Sequence, residues 1–282
     1  MKNEEWTQEI NAEANNRWLN FREVYLAKNL IYLFVRRDFV TLYKQTILGP
    51  IWFLIQPLMT TLVFTIIFGK IANIPTDGIP PFLFYMSGII VWTYFSGCLE
   101  KNSNIFIDNQ PILSKVYFPR LTIPISTSIT NLISFAIQFM IFCGFLSYYS
   151  FQGDSIQPSW WALLITPFLI IQVAILGMGV GLMVSAFTVK YRDLIFVMNF
   201  GVQLWMYATP IVYPLSQASP KIQLILSLNP MTSVVEVFRF GFMGVGTVSL
   251  GNIVISVIST FAIFLIGLRQ FSKAERNFID TV

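Results

Sequence analysis

The sequence predicts an all-α membrane protein with six transmembrane helices, an N-terminal amphipathic interfacial helix, and two short re-entrant outer helices between spans five and six. Six stretches (45–69, 78–99, 121–153, 155–189, 194–220 and 240–268) contain no Asp, Glu, Lys or Arg. Each exceeds the roughly 20 residues that a helix rising about 1.5 Å per residue needs to cross hydrocarbon. A charge at the bilayer centre costs on the order of 3 kcal/mol on insertion scales, so these gaps are informative. Hydrophobic residues make up 55% of the chain and charged residues 11%, where a soluble domain carries about 25% charged. All but three of the 18 Lys and Arg residues fall in the N-terminal arm, the even-numbered connections and the tail; Lys70, Lys221 and Arg239 are the exceptions. That bias predicts that both termini are cytoplasmic.

Residues 1–46 read as a cytoplasmic arm and interfacial helix, 47–268 as the six-span domain and 269–282 as a cytoplasmic tail. The first 20 residues are polar and acidic (Glu4, Glu5, Glu9, Glu13), without the short apolar core of a signal peptide. From 21 to 42, Phe21, Val24, Tyr25, Ile31, Tyr32, Val35 and Phe39 share a face at helical spacing, although Leu26, Leu30 and Leu33 fall elsewhere. Arg36 and Arg37 would then meet headgroups at the membrane surface; the alternative is a helix packed against the bundle with no lipid role.

Span one, about 51–71, carries Pro57, which removes one helical hydrogen bond and favours a kink. Span two covers 82–99. A polar loop of about 20 residues, 100–119, holds Asn102, Asn104, Asp108, Asn109 and Lys115, with Arg120 following; loops this long are more often functional than idle. Spans three and four, 121–148 and 160–187, follow. Gly177, Gly179 and Gly181 in span four predict close helix packing, since no strand precedes them as a nucleotide fingerprint requires. After the turn at Tyr191-Arg192-Asp193, span five runs over 194–213. In 214–240 two apolar pieces too short to cross the bilayer are separated by Asn229-Pro230, which predicts the two re-entrant helices. Irregular backbone at membrane depth survives only under protein or beside water. Span six is 248–268.

The chain has no histidine, no carboxylate inside a span and no G-x-x-x-x-G-K-[ST] phosphate loop. The commonest general base and zinc ligand are absent, and ATP cannot be bound by that loop. Cys98 and Cys143 read as small apolar packing residues. A membrane-embedded transferase would need a polar constellation at one surface, but Asp108, Asp193 and Glu236 are scattered over different loops and sides.

Five local patterns occur in order. They are Tyr43-Lys44-Gln45-Thr46-Ile47-Leu48-Gly49-Pro50-Ile51-Trp52 with Gln56-Pro57-Leu58, Lys115-Val116-Tyr117-Phe118-Pro119-Arg120, Tyr191-Arg192-Asp193-Leu194, Ala208-Thr209-Pro210-Ile211-Val212-Tyr213-Pro214, and Leu228-Asn229-Pro230-Met231 with Arg239 beyond. On these the chain resembles the membrane subunits of ABC-2 type polysaccharide exporters, which move O-antigen, capsular or teichoic-acid polymers. The resemblance implies a homodimer in the bacterial inner membrane working with two copies of a separate ATPase, which binds ATP and Mg. The cargo it implies is polysaccharide on undecaprenyl pyrophosphate, O-antigen in the first instance, and it leaves no cofactor or nucleic acid on this chain. It likens Asn104, Asp108, Asn109, Lys115 and Arg192 to the ATPase-coupling surface, and Pro214, Asn229 and Pro230 to an outer gate.

Aromatic faces bind sugars by weak contacts tolerant of register, so a lane of them would let a polymer slide. Candidates for the channel are Trp52, Phe53, Tyr85, Trp92, Tyr94, Trp205, Tyr207 and Tyr213, against the alternative that aromatics gather at interfaces or face lipid. Arg36, Arg37 and Lys44 are the candidates for the lipid pyrophosphate, through charge-assisted hydrogen bonds to phosphate oxygens, against the alternative of ordinary positive-inside anchoring. A permease for a drug or small lipid is the other transport reading.

Overall fold

The structure, a computed structural model, describes residues 21–44, 49–113, 115, 118–153, 156, 158–191 and 193–281. Among these residues it is helical with no strand. In chain order the helices are α1 (Phe21–Leu26), α2 (Lys28–Lys44), α3 (Trp52–Phe64), α4 (Pro81–Ser103), α5 (Ile105–Asp108), α6 (Gln110–Leu113), α7 (Thr122–Phe151), α8 (Trp161–Thr188), α9 (Leu194–Tyr207), α10 (Pro220–Ser227), α11 (Pro230–Met243) and α12 (Leu250–Thr281). Helix α3 carries Pro57 in its interior and widens at its end into a π-helical stretch, Thr65–Ile71.

Among the described residues five helices are long and apolar enough to cross a membrane: Trp52–Ile71, Pro81–Ser103, Thr122–Phe151, Trp161–Thr188 and Leu250–Glu275. These match expected spans one to four and six within a few residues. The fifth expected span differs. Helix α9 has 14 residues and stops at Tyr207, a rise of about 21 Å where hydrocarbon is about 30 Å thick. Pro210 supplies the reason: it donates no backbone hydrogen bond, and it pushes Thr209 away from helical geometry. Helix α12 continues unbroken past the expected end of span six, through the expected cytoplasmic tail, to Thr281.

Helix α4 is the hub. Its side chains from Leu83 to Trp92 are buried on every side, among α3, α7, α8, α9 and α11. Glycines set the closest approaches. A Cβ at Gly177 would lie 2.9 Å from the Phe95 carbonyl oxygen, and one at Gly181 2.7 Å from that of Leu99, so α8 presses directly on the α4 backbone. A Cβ at Gly179 would lie 2.7 Å from Phe264 Cα of α12. The packing expectation for the glycine run therefore holds, and it serves two partners at once. Cys98 is wholly buried and Cys143 partly so, both as free thiols.

A second apolar cluster joins the basic end of the bundle. Phe34 of α2, Ile105, Phe106 and Leu113 of the 100–119 loop, Leu182 of α8 and Phe271 of α12 meet there, with the Phe106 and Phe271 rings stacked 5.0 Å apart. The protein-facing side of the N-terminal helices is Val24, Leu30 and Phe34, whereas Tyr25 and Tyr32 of the expected stripe are exposed. These helices have apolar residues on two faces: one packs on the bundle and the other stays open, with Leu26 and Leu33, beside exposed Arg36 and Lys44.

Candidate functional site

Where α9 ends, the chain must pass residues 208–214 through the edge of the bundle with backbone groups that no helix satisfies. Two side chains from α11 and its cap satisfy them. Asn229 caps α11, its Oδ1 accepting from Met231 N at 3.1 Å and from Trp205 Nε1 at 3.0 Å. Its Nδ2 donates to Thr209 Oγ1 at 2.9 Å and to the Ala208 carbonyl at 3.3 Å. One amide thus ties the end of α9 to the start of α11, and an Asn-Pro pair suits that place because Pro230 occupies the first helical position, where no N–H is needed. Asn229→Ala would leave Trp205 and Met231 without their acceptor. The expected loss is about 1–2 kcal/mol, read as a lower thermal midpoint of the purified protein. Asn229→Asp should recover only the acceptor half.

Arg239, one turn from the end of α11, is 1% exposed. Its guanidinium donates to the Ile211 carbonyl at 2.9 Å, the Phe84 carbonyl at 3.3 Å and Ser87 Oγ at 3.2 Å, and also to the Pro210 carbonyl. It stacks 3.7 Å from the centroid of the Phe84 ring and pairs with Glu236 Oε1 at 3.8 Å. Glu236 in turn accepts from Thr247 N at 2.7 Å and Thr247 Oγ1 at 3.2 Å, anchoring the connection to α12. Gly88 makes this arrangement possible, because a Cβ there would sit 2.9 Å from Ile211 Cγ2 and 3.0 Å from Arg239 Nη2. Helix α11 is further pinned to α12 and α8: Ser256 Oγ donates to the Pro230 carbonyl at 2.7 Å and accepts from Gln172 at 2.7 Å. The whole is a polar clamp inside an apolar bundle, joining α4, the 208–214 segment, α11 and α12.

The gate candidates Asn229 and Pro230 lie in this clamp, and Pro214 is buried at the end of the 208–214 segment. The channel candidates separate into groups. Tyr85, Trp92 and Tyr94 are buried in the core of a single chain, Tyr85 lying edge-on to Phe84 at 5.6 Å. Trp205 is half-buried against Phe95 and held by Asn229. Tyr213 is half-buried and donates its hydroxyl to the Tyr207 carbonyl at 3.2 Å. Trp52 and Tyr207 are 54% and 52% exposed, and Phe53 is half-buried with its carbonyl accepting from Gln138 at 3.1 Å.

At the basic end Arg37 pairs with Asp38 at 2.7 Å, lies over the Phe34 ring, and donates to Asn109 Oδ1 at 3.3 Å. A phosphate candidate and a coupling candidate are therefore in contact. Asn109 is buried and also donates to the Ile105 carbonyl at 3.1 Å, Asn104 donates to that of Glu100, and Asp108 and Lys115 are exposed. Arg192 lies outside the described residues. Arg239 and Glu236 are the residues sequence reasoning left out of the site. The available signal was a single Arg three residues after a Glu in an otherwise apolar piece on the sparsely charged side. Among the described residues no three His, Cys, Asp or Glu side chains gather as a metal site requires.

The profile of the ABC-2 type transporter family matches residues 29–243, a stretch that includes every residue of the clamp except Thr247 and the α12 contacts. Among curated proteins, an O-antigen export system permease protein RfbA of Klebsiella pneumoniae is 27% identical over 254 residues, covering 89% of this chain and 94% of its own. The protein of the same name from Myxococcus xanthus is 29% identical over 223 residues, covering 77% and 82% respectively. A capsule polysaccharide export inner-membrane protein, CtrC of Neisseria meningitidis, is 20% identical over 267 residues, covering 89% and 93%.

Proposed function

This chain belongs to the ABC-2 type transporter family, and from that membership we propose that it is the permease subunit of an ATP-driven polysaccharide exporter of the bacterial inner membrane, carrying O-antigen on undecaprenyl pyrophosphate. The observation that carries this reading is similarity to two O-antigen export permeases over 89% and 77% of this chain. Capsule export is the second reading, favoured by the more distant capsule relative.

The chain works as a homodimer with two copies of a separate ATPase. The division of labour fits a sequence without a phosphate-binding loop. Both termini are cytoplasmic, which needs an even number of crossings. Five long helices supply five, and α9 extended by 208–214 supplies the sixth, its non-helical part covered by Arg239 and Asn229 as backbone at that depth requires. Helices α10 and α11 then lie on the outer side as the gate. The 100–119 loop, packed under α2 and α12, transmits ATPase closure to the spans. Arg36 and Lys44, both exposed, are free to meet the pyrophosphate, and Arg37 positions α2 on the coupling loop through Asn109.

Trp52 and Tyr207 have the exposure that a polymer-facing aromatic needs. Deleting the gene should remove polysaccharide from the cell surface, and Trp52→Ala should lower its surface level several-fold while the complex with the ATPase still assembles. A stoichiometric ATPase recovered with the chain after mild extraction is the expected companion result. Unchanged surface polysaccharide in the deletion strain would refute the reading.

A further inference from the structure

Between α4, α8 and α9 runs an apolar groove with a cavity of about 330 Å³. Val180, Val184 and Phe187 of α8 form one wall, and α9 forms the other with the face from Leu194 to Trp205. That face spans 12 residues, a rise of about 16 Å, close to half of a hydrocarbon core about 30 Å thick. The groove therefore has the length of one leaflet and runs along the helices, as lipid tails do. At one end lies the α8–α9 turn, where Lys190 is exposed, with its ammonium 5.2 Å from the centroid of the Tyr191 ring.

Gly201 keeps the α9 wall of the groove open. The glycines of α8 each press on a neighbouring helix, whereas a Cβ at Gly201 would meet no atom within 4 Å. A mid-helix glycine costs about 1 kcal/mol relative to alanine, and this one opens the groove wall without serving any contact inside the chain. We propose that the groove is a binding site for one acyl chain of an anionic phospholipid, whose headgroup phosphate sits at Lys190. A helix of a second copy would meet the other side of α9, where Phe196, Phe200 and Leu204 stand exposed and outside the groove.

The test is native mass spectrometry of the chain, extracted with its partners in mild detergent and exposed to phosphatidylglycerol or phosphatidylcholine. One phosphatidylglycerol per chain is expected to remain bound, with roughly fivefold preference over phosphatidylcholine, the contribution of one lysine at an anionic surface. Lys190→Ala should abolish the preference. Gly201→Leu should abolish retention, and Val184→Phe fills the same space from the opposite wall should the first variant fail to assemble. Undiminished retention in an assembled filling variant overturns the proposal. So does cross-linking of Gly201→Cys to a second copy across the groove, or a lipid-linked glycan as the species that Gly201→Leu displaces.

Discussion

Arg239→Met is expected to destabilise the protein by about 3–5 kcal/mol, the loss seen when one member of a buried charged pair is removed, and to abolish export. Methionine matches the length and the apolar surroundings, so the deficit is electrostatic. The carbonyls of Phe84, Pro210 and Ile211 lose their donor, and Glu236 is left as a buried carboxylate held only by Thr247. Lysine should recover only part of the loss: its ammonium has three donors and no planar fork, while the arginine addresses α4, the 208–214 segment and Glu236 from one plane. The thermal midpoint of the purified protein is the measurement. A second variant separates charge from packing, since Glu236→Gln in the Arg239→Met background removes the orphaned carboxylate and should restore part of the midpoint. If the double variant is no more stable than Arg239→Met, the ion pair is not what the clamp depends on.

Gly267→Val should be the most disruptive substitution in α12. Its Cβ would collide with the carbonyl oxygen of Gly179, and the opposing Gly179 Cβ position is already 2.7 Å from Phe264 Cα. Overpacking a core usually costs about 1–3 kcal/mol because side chains can shift. Here both colliding partners are backbone, so relief requires the two longest-packed helices, α8 and α12, to separate. Loss of the folded, extractable protein is the expected outcome, whereas Gly201→Ala should be neutral or slightly stabilising, as its Cβ points into open space. Equal yields and midpoints for the two variants would contradict this account of the α8–α12 contact.

Charge spacing was enough to find the long spans, because a bilayer penalises charge at any helix position and no packing detail changes that. The glycine run in span four and the helix break at Asn229-Pro230 were equally legible, being local consequences of small size and of proline geometry. The face of the N-terminal helix was not. With apolar residues on two sides, its pattern could not say that Val24, Leu30 and Phe34 meet protein while Tyr25 and Tyr32 remain outside. Ring counting likewise could not separate Tyr85, Trp92 and Tyr94, which pack the interior, from Trp52 and Tyr207 on the surface.

By itself, then, the sequence determined the class of protein, the long apolar helices, the places where helices must stop, and the resemblance to a transporter family. Only the tertiary structure decided what happens at those stops. Arg239 is 152 residues from Ser87 and 29 from Pro210 in the chain. It reads in sequence as one more charge outside the spans, because a side chain's partners depend on which segments come together. Once α9 ends short, the carbonyls of Pro210 and Ile211 beyond it must find donors within the bundle, and the guanidinium on α11 is placed to supply them.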